Sequence, residues 1–226
     1  MTERENILSR VREALKTPAP LPGSHGGTRL PASAQTSTAR QWLPRVGDSF
    51  EEQLALFQKN AAELKADFQL LNSADEARQA LLRLRESENW KRAACHSGGL
   101  TDSICPPLDI PLLRTDKPYD VNALEACDAG VSECDALVAQ TGSVLVTNRS
   151  AGGRALSVLP PHHVVLARRE QLVADLPAAF ELLQQKYAAN YPSMISFITG
   201  PSRTGDIERI LVLGAHGPKK LTILCF

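Results

Sequence analysis

The residues best suited to chemistry lie near the carboxyl end of the chain. Residues 200–208 (Gly-Pro-Ser-Arg-Thr-Gly-Asp-Ile-Glu) combine hydroxyls, a guanidinium and carboxylates, and residues 214–218 (Gly-Ala-His-Gly-Pro) add an imidazole. An apolar run at 194–198 precedes them and predicts a buried strand. Loops at strand ends carry ligands in α/β folds, so this stretch predicts a binding site. A fixed turn that leads into a helix would give the same composition without any ligand.

The chemistry that these residue types favour is the capture of an anion. We expect a helix over residues 204–211. The backbone N–H groups at its start, residues 202–204, would have no partner within the helix and would attract negative charge. Arg154 or Arg203 could add a bidentate guanidinium for a carboxylate or a phosphate. His216 could donate a proton or anchor the ligand by a hydrogen bond, or it could bond only to the backbone of its own turn.

The predicted ligand-binding residues come from several loops of the C-terminal half. If the strands before these loops are neighbours in a parallel sheet, the loops meet in one crevice at its carboxyl ends. Two residues apart on a helix, Asp206 and Glu208 would point about 200° apart, so they do not form a matched carboxylate pair. The predicted set is Thr141, Gly142, Ser143, Arg154, Ser202, Arg203, Thr204, Asp206, Glu208, His216 and Gly217. No catalytic residue is identified.

Other kinds of site have weaker support. The five cysteines form no Cys-x-x-Cys pair, which argues against an iron–sulfur cluster or a structural zinc. His162 and His163 are adjacent on a predicted strand and point to opposite faces, so they cannot share one ion without a bend. A predicted strand at 91–96 leads into Ser97-Gly98-Gly99, a small-residue turn that could approach a phosphate, but no G-x-G-x-x-G follows. The sequence predicts neither a metal nor a cofactor.

Composition narrows the class of partner. The 25 basic and 25 acidic residues of this 226-residue chain cancel, which argues against a broad electrostatic surface for nucleic acid or anionic membrane. The amino terminus is charged and lacks the apolar core of a signal peptide, and no apolar run approaches the ~20 residues that span a bilayer. These features predict a soluble cytoplasmic protein without a membrane span.

Three regions are predicted along the chain. Residues 1–16 form an amphipathic helix whose apolar stripe includes Ile7, Leu8 and Val11, and it could dock on its own domain, on a second copy or on a partner. Residues 17–40 are rich in Pro, Gly, Ser and Thr and predict a flexible linker. Residues 41–226 form the α/β domain. Within it we predict helices at 48–66 and after Ser73, the latter with a capping-box pattern.

The C-terminal half alternates strands with helices. Strands are predicted at 136–139, 143–147, 161–167, 194–198 and 221–226. A helix within 170–187 is either kinked at Pro177 or begins near Leu176. Residues 105–118 contain four prolines and must be irregular or an edge. This alternation predicts a layered α/β fold with a mostly parallel sheet.

Several motifs carry a resemblance to a known family. They are Gln140-Thr141-Gly142-Ser143, Gly153-Arg154-Ala155-Leu156-Ser157 with Pro160, and the stretches 200–208 and 211–218. In these residues the chain resembles the lactate utilisation protein C family (the LutC/YkgG group, which contains the LUD domain). The resemblance covers residues 131–226 and extends to the helical N-terminal region and its linker. Where relatives usually have Thr-Ala-Asp, this chain has Gly205, which should loosen a helix start by about 1 kcal/mol.

The resemblance implies a fold, a role and partners. The implied fold is a three-layer α/β/α sandwich similar to the sugar-phosphate isomerase and CoA-transferase superfamily (the NagB/RpiA/CoA-transferase-like fold). The implied role is in oxidation of L-lactate to pyruvate beside two partner proteins, at least one of which carries iron–sulfur clusters. The absence of cluster-binding cysteine spacing agrees with redox chemistry in the partners. The family does not supply a proven catalytic residue.

Three hypotheses follow for the function. The first is a non-redox subunit of the lactate-oxidising system that binds a small anionic ligand at the C-terminal crevice. The second is a stand-alone enzyme of transferase- or isomerase-like fold that acts on a phosphorylated or CoA-linked small molecule. The third is a scaffold without a ligand. Turnover by the chain itself and homo-oligomer formation both stay open.

Overall fold

The chain contains two compact units, residues 1–43 and 44–226. The computed structural model describes residues 3–14, 16, 44–207, 210–214 and 216–226. In the first unit the described residues form helix α1 (Glu3–Ala14), along which Ile7, Leu8 and Val11 are exposed. The predicted linker at 17–40 lies outside the described residues, and the predicted domain boundaries stay a prediction.

The described residues of the second unit form twelve strands and five further α-helices. In chain order the strands are β1 (Asp67–Leu70), β2 (Ala93–Cys95), β3 (Leu112–Arg114), β4 (Ala129–Glu133), β5 (Ala136–Val138), β6 (Ser143–Thr147), β7 (His162–Ala167), β8 (Leu172–Val173), β9 (Ile195–Ile198), β10 (Arg203–Ile207), β11 (Ile210–Leu213) and β12 (Lys220–Cys225). The helices are α2 (Phe50–Glu63), α3 (Ala74–Ser87), α4 (Thr101–Ile104), α5 (Val121–Glu125) and α6 (Leu176–Tyr187).

A six-stranded sheet forms the centre of the second unit as the structure describes it. Its strand order is β1-β12-β7-β4-β2-β3, and every neighbouring pair is parallel. Strands buried on both faces need continuous apolar runs, and residues 164–167 of β7 (Val-Val-Leu-Ala) are fully buried. The predicted α/β fold with a mostly parallel sheet is confirmed.

The two faces of this sheet are covered differently. Helices α3 and α4 pack on one face, where Leu81 and Ile104 join the core beside Val131 and Val164. A second sheet, with the order β8-β5-β6-β9, covers part of the other face together with α2. Helix α6 packs on the outer side of this second sheet through Leu183.

Helix starts follow their capping residues. Ser49 and Glu52 form a capping box at the start of α2, and the backbone N–H of Glu76 donates to Ser73 Oγ over 3.2 Å at the start of α3. The predicted Ser73 cap is therefore confirmed. Helix α6 begins at Leu176 and is not kinked by Pro177. Pro177 lies in the first turn, where a backbone N–H would have no partner within the helix, so its absence costs nothing.

The prediction of a helix at residues 204–211 is wrong. Strands β10 and β11 form an antiparallel hairpin there, with Thr204 opposite Val212. Gly205 lowers helix propensity, and the β-branched residues Ile207, Ile210 and Val212 favour strands.

Only two of the predicted C-terminal strands, β7 and β12, join the parallel sheet. Strands β5 and β6 are antiparallel, because a turn as short as Gln140-Thr141-Gly142 cannot connect parallel strands. Strand β9 pairs antiparallel with β6 at the edge of the second sheet. The predicted strand at 194–198 is thus present, but it is only partly buried, with Ile195 38% exposed.

None of the helices in the described ranges has the length and apolar character needed to cross a membrane.

Candidate functional site

The strand order of the parallel sheet contains a point at which the direction of the chain across the sheet switches. From β2 the chain moves outward to β3, then returns to β4 and continues through β7 to β12 in the opposite direction. The direction therefore switches between β2 and β4. In open α/β sheets, ligands bind at the carboxyl ends of the strands at such a switch point. His96, which follows β2, and Glu133, which ends β4, stand at this point.

Glu133 presents a positioned carboxylate. Its Oε1 accepts hydrogen bonds from the backbone N–H groups of Leu100 over 2.7 Å and Thr101 over 3.1 Å. A Cβ at Gly98 would lie 2.2 Å from the same oxygen, so a larger residue there would displace this carboxylate. Oε2 has no hydrogen-bond partner among the described residues. A half-buried carboxylate with one oxygen held and the other free can accept a ligand hydrogen bond or act as a general base.

His96 holds the ends of β2 and β4 together. Its Nε2 accepts from the backbone N–H of Glu133 over 3.2 Å, and its Nδ1 lies 3.0 Å from the carbonyl oxygen of Ser97. These partners assign the neutral tautomer with the hydrogen on Nδ1. Both ring nitrogens are thus engaged and the side chain is buried. We therefore regard His96 as a residue that positions Glu133.

The loops after β3 and β6 contact each other and the turn after β2. Asp116 accepts from the backbone N–H of Ser97 over 2.8 Å and from its hydroxyl over 3.0 Å. Desolvation raises the pKa of Asp116, but the hydrogen bonds from Ser97 outweigh it and hold the pKa below its ordinary value. Thr115 Oγ1 donates to the carbonyl of Gly152 over 2.8 Å.

The predicted residues Thr141, Gly142 and Ser143 lie in the turn between β5 and β6. Gly142 has φ of +64°, and a Cβ there would lie 2.9 Å from the backbone nitrogen of Ala61 in α2. Asn60 Nδ2 donates to the carbonyl of Gln140 over 3.0 Å. This turn therefore packs on α2, which leads to the amino end of β1, and not at the carboxyl ends of the parallel sheet.

Arg203 contacts the end of α2, whereas Ser202 contacts the segment that leads into β12. Arg203 Nη2 donates to the carbonyl of Leu64 over 2.8 Å, and the backbone N–H of Ser202 donates to the carbonyl of Pro218 over 2.8 Å. The proposed anion site of free N–H groups at a helix start is therefore wrong: the N–H of Ser202 is paired, and residues 203–207 form a strand.

The other predicted residues of this stretch are placed as follows. Gly217 packs on Ser202, since a Cβ there would lie 3.2 Å from Ser202 Cβ. The side chain of His216 is exposed. Thr204 and Asp206 belong to β10, and Glu208 lies outside the described residues.

Arg154 lines a cleft of about 400 Å³ beside β9. Its guanidinium is exposed and forms no side-chain hydrogen bond or ion pair with the described residues. The lining consists of Arg154, Ser157, Val158, Ser193, Met194, Ile195, Ser196 and Ile198. These residues supply one cation, three hydroxyls and apolar surface, and no carboxylate.

The structure thus brings the predicted residues together only in part. Ser143 Oγ lies 2.8 Å from Thr199 Oγ1, which links the β5–β6 turn to the stretch containing Ser202 and Arg203. The Arg154 cleft reaches Ile198, the residue before Thr199. No single crevice at the carboxyl ends of the parallel sheet gathers the described members of the set. Ligand binding by these residues stays a prediction.

The sequence reasoning missed Glu133 because it did not predict β4. The strand Ala-Gly-Val-Ser-Glu is short of large β-branched and aromatic residues, so its pattern is weak. The small-residue turn after β2 was the available signal for this edge. His, Cys, Asp and Glu in the described ranges form no group of three that could hold a metal ion.

Comparisons with known proteins agree with the motifs. The family described as "LUD domain" matches residues 113–225, half of the chain. Lactate utilization protein C 1 of Bacillus mycoides is 35% identical over 105 residues, which cover 46% of this chain and 45% of that protein. Lactate utilization protein C of Geobacillus kaustophilus is 27% identical over 215 residues, which cover 82% and 83%. The resemblance to lactate utilisation protein C is confirmed.

A solved structure has the same fold. A crystal structure of a DUF162 family protein from Deinococcus radiodurans superposes with a TM-score of 0.62 over 79% of this chain and 99% of that chain. At 21% identity this similarity shows the fold alone.

Proposed function

Because the chain belongs to the LUD domain family, we propose that it is a non-redox component of a system that oxidises L-lactate to pyruvate. The names of its relatives support this role. The chain spans about half the length of the first curated relatives it matches, so their activity is part of the proposal. Oxidation of lactate releases electrons, and we assign their transfer to iron–sulfur partner proteins because the five cysteines lack cluster spacing.

The ligand proposed for this chain is a small carboxylate in the Arg154 cleft. One observation carries the proposal: an unpaired guanidinium faces a cleft with three serine hydroxyls and no lining carboxylate. A guanidinium matches a carboxylate with two parallel hydrogen bonds. The cleft volume of about 400 Å³ lies within the range of small-molecule sites. Apolar Val158 and Met194 would suit the methyl group that lactate and pyruvate share.

Replacement of Arg154 by alanine should weaken binding of L-lactate or pyruvate at least tenfold, or about 1.4 kcal/mol, because the bidentate pair is lost. Titration calorimetry on the purified full chain measures this. Arg154→Lys keeps the positive charge but loses the planar guanidinium that makes two parallel hydrogen bonds, and it should give an intermediate affinity. Arg83→Ala removes an exposed arginine of α3 and is the matched control.

Two further results would decide the proposal. Deletion of the gene should stop growth on L-lactate, and the Arg154→Ala gene should restore growth less well than Arg83→Ala. Purification of the chain from lactate-grown cells should also recover iron–sulfur proteins. Normal growth of the deletion strain would disprove the lactate role. Equal carboxylate affinity of the two variants would disprove the assignment of the cleft.

Glu133 favours a second candidate function, a stand-alone transferase- or isomerase-like enzyme at the switch point. Glu133 ends β4 at this switch point, where open α/β sheets bind ligands. A thermal-shift screen of phosphosugars, nucleotides and CoA esters tests this. A true substrate should raise the melting temperature, and Glu133→Gln should reduce that rise while Glu125→Gln, on the exposed end of α5, should not. A screen in which no compound discriminates between the two variants would remove this candidate.

A further inference from the structure

A second cleft lies at the amino ends of the parallel strands β1, β7 and β12, opposite to the carboxyl ends where Glu133 lies. Its volume is about 200 Å³, which is below the range typical of whole cofactors or drug-sized ligands. A ligand of this size would be a single small group. The lining consists of Lys65, Asp67, Leu84, Glu88, His162, Lys219, Lys220, Leu221 and Thr222.

The unpaired charge in this cleft is positive. Lys220 Nζ donates to both carboxylate oxygens of Glu88, over 2.7 and 2.5 Å, so these two charges offset each other. Asp67 Oδ2 accepts from Gln69 over 2.8 Å. Lys65 and Lys219 form no side-chain hydrogen bond or ion pair with the described residues. Two ammonium groups therefore remain for a ligand, against the one charge of Asp67.

The chain holds both lysines in unusual ways. A Cβ at Gly214, where φ is +75°, would lie 2.2 Å from Lys219 Cγ and 3.2 Å from its Cδ and Cε, so the stem of Lys219 lies along this glycine. Gly214, which the Arg154 cleft does not use, thus positions Lys219. Lys65 has φ of +66° just after α2, where glycine is usual.

His162 supplies a third polar group. Its side chain is buried, and Nε2 lies 2.9 Å from Thr222 Oγ1. The buried Nδ1 has no hydrogen-bond partner among the described residues. Buried polar atoms are nearly always paired, so Nδ1 of His162, a residue that lines the cleft, could bond to a water or to a ligand bound there.

We propose that this cleft binds a small tetrahedral anion of the phosphate type. Lysine ammonium groups act as point charges and suit phosphate, whereas the planar carboxylate fits the guanidinium of the Arg154 cleft. The site goes beyond the proposed carboxylate ligand and lies at a different edge of the domain. Free inorganic phosphate and the phosphoryl end of a larger metabolite share this chemistry.

The test is a titration of the purified full chain with inorganic phosphate at constant ionic strength, followed by calorimetry. Lys219→Met keeps the stem against Gly214 and removes the charge, and Lys65→Met removes the other charge. Each should weaken phosphate binding at least tenfold, and the double variant should abolish it. The double variant Lys59→Met/Lys117→Met removes two exposed lysines elsewhere and should bind like the unchanged chain.

Several outcomes separate this site from its rivals. Glycerol 3-phosphate binding more tightly than inorganic phosphate would identify a phosphoryl end, and equal binding would identify free phosphate. Lys219→Met should retain carboxylate binding and Arg154→Ala should retain phosphate binding, so either proposal can fail alone. Absence of phosphate binding, or equal loss in Lys59→Met/Lys117→Met, would overturn the assignment.

Discussion

Lowering the pH from 6.5 to 4.5 is expected to reduce the free energy of unfolding by about 4 kcal/mol through two buried histidines. Burial lowers the pKa of His162 to about 4 and that of His163 to about 3, from an ordinary value of 6.5. His163 Nε2 lies 2.8 Å from Ser132 Oγ, and His162 packs edge-on against Trp90 at 5.2 Å between ring centroids. Both imidazoles stay neutral in the folded chain over this range.

The direction follows from where the protons bind. Below pH 6.5 the unfolded chain takes up protons on these imidazoles and the folded chain does not, so acid favours unfolding. The free energy of unfolding continues to fall until the pH reaches the pKa values of the folded chain, about 4 for His162 and about 3 for His163. It is absent above pH 7, where both states carry neutral imidazoles.

Urea unfolding at a series of pH values measures the effect. His163→Gln should roughly halve the slope of unfolding free energy against pH between 6 and 4.5, whatever it does to the stability at pH 7. His216→Gln, which replaces an exposed imidazole, is the matched control. An unchanged slope in His163→Gln would show that this residue is not the source.

Replacement of Asp135 by alanine is expected to lower the free energy of unfolding by about 3 kcal/mol. The carboxylate is fully buried, and its Oδ1 accepts from Lys186 Nζ over 2.6 Å and from Tyr187 Oη over 2.7 Å. Burial raises the pKa of Asp135, but hydrogen bonds from Lys186, Ser150 and Tyr187, together with the charge of Lys186, outweigh it and hold the pKa below its ordinary value. The pair fixes the end of α6 to the segment between β4 and β5.

The loss should be similar to that of Lys186→Met and larger than that of Tyr187→Phe. Lys186→Met leaves the buried carboxylate of Asp135 without its counter-ion and should cost about 3 kcal/mol, whereas Tyr187→Phe removes one hydrogen bond and should cost about 1 kcal/mol. Glu125→Ala removes an exposed carboxylate and is the control, with an expected change within about 0.5 kcal/mol. Urea unfolding at pH 7 gives all four values. An Asp135→Ala value no larger than that of Glu125→Ala would contradict this account.

Local signals in the sequence determined most of the helices and the class of the fold. Ser73 with Glu76 marks the start of α3, and Pro177 marks the start of α6, because capping and the missing proline N–H act within one turn of the chain. The apolar run at 164–167 marks β7 because a strand buried on both faces needs apolar side chains throughout. Family motifs were also readable, since they are contiguous.

The tertiary structure alone decided which strands pair and therefore where the clefts lie. Strand β6 has the apolar pattern of a parallel strand, but its short turn and its pairing with β9 place it in the second sheet. Because of this pairing, Thr141 does not lie at the carboxyl ends of the parallel strands, whereas Glu133 does. Strands β10 and β11 pair antiparallel, so Arg203 begins a strand, bonds to the end of α2 and offers no helix start to an anion.

The amino-acid sequence was enough to identify an α/β protein of the LUD domain family. Only the tertiary structure separated Arg154, Glu133 and Lys219 into three places. The physical reason is range: propensities and caps act over a few residues, whereas a cleft forms where strands far apart in sequence meet, and strand order is set by packing over the whole domain.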